Sequence, residues 1–371
     1  MPFVLNILIC LCFGFGHALA REPVIRELDY AQNFSIAEYP SYTLLTVRNA
    51  YRNSSRDFQY ALVSKNNQIA ADIPTTATIL RTPIENVAVM ETVYIGYLAA
   101  INQLSSILAA ATTNFISHPE VVARVESGDI QKIQSGQMIN IERLLLIQPD
   151  LIFTTSLGEG TFEHSPQLKR AGLPVVLTAG YMERHPLARA EWIKFIAEFY
   201  NKGEAAEVYF ETIRNSYMNL IKTTAKTEKK PTVFCGAPYS GVWHVPGGDS
   251  FFARFIEDAG AKYLWSDDKS QGGIPQDTER VFLRAANADF WVNPSHYRNL
   301  KALFGADPRF DKFKAAQMGQ VYNNTKQISA NSGNNVWERG IVHPDEVLAD
   351  LIHIFHPRLL PEHELIYYQS L

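Results

Sequence analysis

What the sequence has little of narrows its role before any motif is read. Its 371 residues hold only 3 cysteines. Cys10 and Cys12 fall in an apolar leader, so Cys235 alone remains beyond it and a mature chain has no internal disulfide. Positive charge is sparse: 34 Lys and Arg against 38 Asp and Glu give a net charge of −4. No basic run exceeds Lys229-Lys230, which argues against a nucleic-acid or polybasic membrane surface. The phosphate loops G-x-x-x-x-G-K-[ST] and G-x-G-x-x-G are missing, as are G-x-S-x-G, H-E-x-x-H and C-x-x-C. Their absence weighs against nucleotide binding, standard hydrolysis and zinc chemistry. Beyond the leader, no apolar run approaches the roughly 20 residues of a spanning helix.

The leader itself is residues 4–15 (VLNILICLCFGF), followed by Gly16 and by Ala18-Leu19-Ala20. That small-x-small ending is the mark of a cleavable export signal over residues 1–20, with cleavage after Ala20. No Lys or Arg precedes the apolar core. Ile9 and Leu11 stand before the two cysteines, where a lipidated Cys needs a small residue, so the expectation is soluble export to the periplasm or beyond.

One layout then occurs twice. Residues 142–155 (ERLLLIQPDLIFTT) read as a helix end, a Pro-Asp turn and a buried strand, and residues 167–178 make a second helix-to-strand step. Residues 279–293 (ERVFLRAANADFWVN) and 310–323 repeat that order. Two α/β lobes of one pattern leave a cleft between their strand ends, where open parallel sheets bind ligands.

Ahead of the first lobe, residues 42–48 and 58–63 look like strands of an antiparallel addition to it. Residues 87–90 read as a strand and 92–105 as a helix, placing Glu91 and Thr92 at a strand-to-helix turn. Helical spacing over 187–200 and 204–226 predicts connecting helices, the second about 33 Å long and suited to act as a stiff spine. The expected organisation is an N-terminal β addition (21–81), a first lobe (82–184), connecting helices (185–230) and a second lobe (231–371). The fold class is α/β, with small, mainly parallel sheets flanked by helices.

The chain has 17 Tyr and 5 Trp, too many for all to be surface. Tyr239, Trp243 and His244 stand out because they lie on a Gly- and Pro-rich loop that is a poor core segment. Tyr94 and Tyr181 project from strand ends. His353 and His356 have helical spacing, but no carboxylate or Cys completes a metal set, and a decorated helix end is the better reading.

Residues 140–152 (NIERLLLIQPDLI) resemble the signature of the periplasmic binding proteins that serve ABC importers of iron-siderophores, haem and cobalamin. Residues 128–136 (GDIQKIQSG), 251–261 (FFARFIEDAGA) and 336–357 support the resemblance, which covers about residues 82–357. It implies a rigid two-lobe monomer that captures a metal chelate or corrinoid and delivers it to an inner-membrane permease unchanged. Iron or cobalt would belong to the ligand, with no cofactor or metal site of the protein's own. The ligand-facing set is Glu91, Thr92, Tyr94, Gln137 and Tyr181 from the first lobe, and Tyr239, Trp243, His244, Arg280 and Asn331 from the second. Glu257 matches the family's second-lobe permease-docking acid, whereas the first-lobe position is Gly96, leaving Glu85 or Glu91 as substitutes. No Arg cluster stands out in these loops, which argues against a strongly anionic ligand.

Two other readings remain at this level. A secreted cleft enzyme would use Glu91, His244 and Asp249 as catalysts. A ligand-sensing receptor module would share the cleft and differ in its docking face.

Overall fold

The computed structural model describes residues 22–158 and 163–371. The predicted export signal, with Cys10, Cys12 and its cleavage point, lies outside the described residues.

The N-terminal strands Val24–Arg26, Phe34–Glu38, Thr43–Val47, Phe58–Ser64 and Thr78–Thr82 form one sheet in chain order, antiparallel except for the last pair. It is a sheet of its own rather than an extension of the first lobe's. The third and fourth strands are buried on both faces. On one side Phe34 packs on Trp192 and Phe195, and Tyr60 packs on Phe195. On the other, Tyr42, Leu44, Ala61 and Val63 gather Ala70 and Ile73 into a small separate core.

The first lobe orders its parallel strands Val175–Thr178, Leu151–Thr155, Val87–Val89, Ile107–Ala110 and Gln131–Lys132. The second orders Lys262–Tyr263, Thr232–Cys235, Phe290–Val292 and Val321–Asn323 in parallel, with Gln369–Ser370 antiparallel at the edge. Apart from the short edge strand Gln131–Lys132, the first and third strands in sequence of each lobe sit side by side, with the second and fourth flanking them. The recurrent layout in the sequence is thus a recurrent topology. Strands buried on both faces need continuous apolar runs, which is why VAV, LIFTT, VVLT and TVFC lack the polar alternation of half-exposed strands.

Helix Pro186–Glu198 runs through the centre, buried along nearly its whole length. It is followed after Asn201, held at φ 55°, by the 22-residue helix Gly203–Thr224. Ala206, Phe210, Ile213 and Tyr217 form the buried stripe of that helix, which packs on Pro186–Glu198 and on Pro344–Phe355. One continuous apolar core takes in the N-terminal sheet, both lobes and these helices, and a second covers the outer face of the first-lobe sheet. A shared core of this kind limits how far the lobes can part.

Candidate functional site: the interlobe cleft

Because each lobe's central strands are parallel, their carboxyl ends gather at one edge, and the two edges face each other. At the first-lobe edge, Glu91 and Thr92 immediately precede helix Val93–Ala100. The Glu91 carboxyl accepts Thr155 Oγ1 at 3.0 Å, Thr154 Oγ1 at 3.2 Å and the Thr155 N–H at 3.3 Å. Burial pushes its pKa up to about 7, against the pull of those donors.

Two cavities occupy opposite ends of the cleft. One, of about 590 Å³, lies between Thr92 and Phe115 of the first lobe and Asn293, His296, Asn324 and Trp337 of the second half. Phe115 is 57% exposed and Trp337 46% exposed, so two aromatic rings stand partly bare on its walls. The other, of about 910 Å³, is walled by Tyr51 and Arg52 of the N-terminal sheet, Tyr181 and Arg184 of the first lobe, and Lys269 and Gln271 of the second. Both volumes fall within the roughly 300–1,000 Å³ of ordinary ligand sites.

Of the residues expected to face a ligand, Thr92 and Tyr181 line these cavities, and Glu91 lies beside Thr92. The Tyr181 hydroxyl donates to the Ser156 carbonyl at 2.8 Å, and burial pushes its pKa up to about 12. Two expectations are corrected. Tyr94 is fully buried, stacked on Phe153 with its hydroxyl 2.9 Å from Thr178 Oγ1, because its side of the helix packs on the sheet. Trp243 is also fully buried, with Nε1 donating to the Cys235 carbonyl at 2.9 Å among Phe234, Trp291, Phe310 and Phe313. Strand Val242–Pro246 alternates, so Trp243 and Val245 point inward while His244 points out. Tyr239, 72% exposed, sits beside the turn of the same hairpin. Gln137 lies exposed at the tip of the hairpin formed by Gln134–Ser135 and Met138–Ile139. Arg280 is exposed near the start of helix Thr278–Ala285, and Asn331 is exposed next to Ser332, which lines the smaller cavity.

The acids expected to meet a permease can be located as well. Glu257 is exposed, 3.7 Å from Arg254. A side chain at Gly96 would collide with the Glu338 backbone carbonyl, so that position holds glycine because two backbones touch there. Glu85 is exposed beside Lys65 at the amino-terminal end of strand Val87–Val89, the opposite end of the sheet from the cleft. Glu91, engaged by two threonines, is not a free surface acid either.

The candidate loops carry no Arg cluster, but basic residues from elsewhere meet at the larger cavity. Arg52, Arg184 and Lys269 come from three distant segments and converge only in space, so no local motif announces them. Phe115 and Trp337 lie in short helical turns that the strand-and-helix reading passed over. The proposed catalysts Glu91, His244 and Asp249 line no common cavity: Asp249 sits in a surface hollow with Arg184 and Glu257. Among the described residues no group of three or more His, Cys, Asp or Glu could hold a metal. The histidines near the carboxyl end are engaged locally, His356 Nε2 lying 3.0 Å from the Gly260 carbonyl and His363 Nε2 2.7 Å from Asp350.

A family model described as periplasmic binding protein matches residues 87–328, more than half of the chain. The chain belongs to the periplasmic binding protein family. It is 28% identical over 288 residues to an uncharacterised lipoprotein of Methanocaldococcus jannaschii, covering 75% of this chain and 67% of that protein. A possible iron-binding periplasmic solute-binding protein from Staphylococcus epidermidis superposes with a TM-score of 0.57 at 20% identity, covering 74% of this chain and 100% of that one. A periplasmic haem-binding protein from Pseudomonas aeruginosa gives 0.57 at 17%, covering 74% and 94%. The vitamin B12 binding protein of Vibrio cholerae gives 0.53 at 14%, covering 74% and 97%. At these identities the likeness shows the two-lobed fold, and the family gives this member a solute-binding role.

Proposed function

We propose that this chain is the solute-binding component of an ABC import system, seating an iron chelate, haem or cobalamin between its lobes and handing it unchanged to a membrane permease. The observation that carries the reading is the 590 Å³ cavity between facing strand ends, flanked by the half-exposed rings of Phe115 and Trp337. Aromatic faces suit a flat or partly apolar ligand, which can stack on them. Thr92, Asn293, Asn324 and Thr325 supply the few polar groups that fix orientation in such sites.

Proteins of similar fold that bind iron or haem support this ligand class, and the expected export leader with the lipoprotein relative supports a location in the cell envelope. Glu257, exposed on the second lobe, is the docking acid in this reading. An exposed ion pair is worth only about 0–1 kcal/mol, so a single docking carboxylate fits a carrier that must also let go. Isolating the full chain from its native host and recording the absorption and mass spectra of what it carries tests the proposal. A Soret band, a corrinoid spectrum or a ferric chelate is the expected result. A chemically altered product released on incubation would point to the cleft enzyme instead.

A further inference from the structure

The family match begins at residue 87, so the N-terminal sheet lies outside it, yet that sheet reaches the cleft. The loop after strand Thr43–Val47 is fixed by two asparagines at positive φ, Asn49 at 47° and Asn53 at 62°. The Arg48 N–H donates to the Asn33 carbonyl at 2.8 Å, and the Ser54 N–H closes the turn on the Tyr51 carbonyl at 3.0 Å. Asn and Asp tolerate this backbone region better than other side chains, so the loop is shaped locally and not left to the ligand.

Its base is anchored to the first lobe. The Glu183 carboxylate, which itself lines the cavity, accepts the Asn33 N–H at 3.0 Å and Trp192 Nε1 at 3.1 Å. The loop carries Arg52 across to the second lobe, where a Cβ on Gly272 would lie 3.1 Å from an Arg52 guanidinium nitrogen.

Arg184 and Lys269 line the same cavity. Arg184 Nε lies 2.6 Å from the Gln271 side-chain amide, and a second nitrogen lies 3.8 Å from Asp249, a loose contact. Among the described residues, neither Arg52 nor Lys269 has a carboxylate within 4.0 Å. Arg52, Arg184 and Lys269 face one cavity of about 910 Å³ whose lining carboxylate, Glu183, is taken up by Asn33 and Trp192 N–H groups, and Asp249 answers only Arg184, so the wall keeps a positive excess that a bound anion would balance.

We infer that the N-terminal sheet is a specificity module, and that Arg52 with Arg184 and Lys269 forms an oxyanion subsite at this end of the cleft for ligands bearing carboxylate or phosphate groups. The guanidinium fork of Arg52 matches a carboxylate in two-point geometry, and Lys269 adds a mobile point charge from the opposite lobe. The inference rests on the cleft being the solute site.

The test is titration of the full chain and of Arg52→Gln and Arg52→Lys with four probes: haemin and ferric citrate for carboxylates, cyanocobalamin for a phosphodiester, and ferrioxamine B for neither. Arg52→Gln is expected to weaken whichever oxyanion-bearing probe binds by tenfold or more. Arg52→Lys should restore most of that loss, and affinity should fall with added salt in the wild type more steeply than in Arg52→Gln. Equal loss for ferrioxamine B, no loss for any probe, or binding of ferrioxamine B alone would overturn the inference while leaving the solute-binding reading in place. Binding of none of the four would remove both.

Discussion

The Glu338 carboxyl accepts the backbone N–H of Ser117 at 2.6 Å and of His118 at 2.9 Å, so a residue from the second half of the chain grips the first lobe just ahead of helix Pro119–Ser127. On the backbone side of the same residue, the Glu338 carbonyl presses against Gly96. The two contacts pin this boundary from both sides. Gly96→Ala forces one backbone to retreat, and a loss of about 1–3 kcal/mol in urea unfolding is expected.

The same grip depends on pH. Burial pushes the Glu338 carboxyl up to about 7 from its usual 4.5, partly offset by the two N–H donors. A carboxyl whose folded pKa is raised contributes stability that is fully present below about 4.5 and is lost as pH climbs through about 7. Wild-type unfolding free energy should therefore fall by on the order of 3 kcal/mol more than that of Glu338→Gln between about pH 5 and pH 8. Parallel pH profiles of the two proteins by chemical denaturation would contradict this assignment.

Glu191 holds the start of the N-terminal sheet. Its carboxylate accepts the N–H groups of Asp29, Tyr30 and Ala31 at 2.9, 2.8 and 2.8 Å, and Lys194 Nζ lies 3.1 Å away in the same buried site. Glu191→Ala leaves three N–H donors without their acceptor and a buried ammonium short of one partner. A cost of about 3–5 kcal/mol is expected, with earlier proteolysis of residues 22–82 than of the lobes.

Two tryptophans separate packing from binding. Trp243 fills the second-lobe core, so Trp243→Phe should destabilise by about 2 kcal/mol, losing volume and the bond to the Cys235 carbonyl, with ligand affinity unchanged. Trp337 is about half exposed on the cavity wall. Trp337→Ala should cost about 1–2 kcal/mol of stability through the half of the ring that packs, yet weaken ligand binding at least tenfold. Denaturation and titration on both variants check the pair, and the reverse pattern would reassign the cavity.

The lobes were legible because a buried parallel strand leaves an unbroken apolar run bounded by turn residues, as in residues 151–155 and 232–235. The spine was legible from its helical stripe of Phe210, Ile213 and Tyr217. The site was read less well, for two reasons. Tyr94 lies two residues beyond Thr92, which lines a cavity, and Trp243 lies on a strand with an exposed face, but which face of a helix or strand points inward is set by tertiary packing. Arg52, Arg184 and Lys269 are separated by more than eighty residues at each step, and only the fold brings them to one cavity. Gly96 shows the converse: its departure from the expected acid has a steric cause that appears only once Glu338 is placed beside it.

In the proposed function the space between the lobes seats a metal chelate or corrinoid. The decisive measurement is calorimetric titration of the purified full chain with haemin, cyanocobalamin and a ferric hydroxamate. Saturable one-to-one binding of at least one of them is expected, with no chemical change in the recovered ligand. Failure of all three to bind, or recovery of a transformed product, would contradict it.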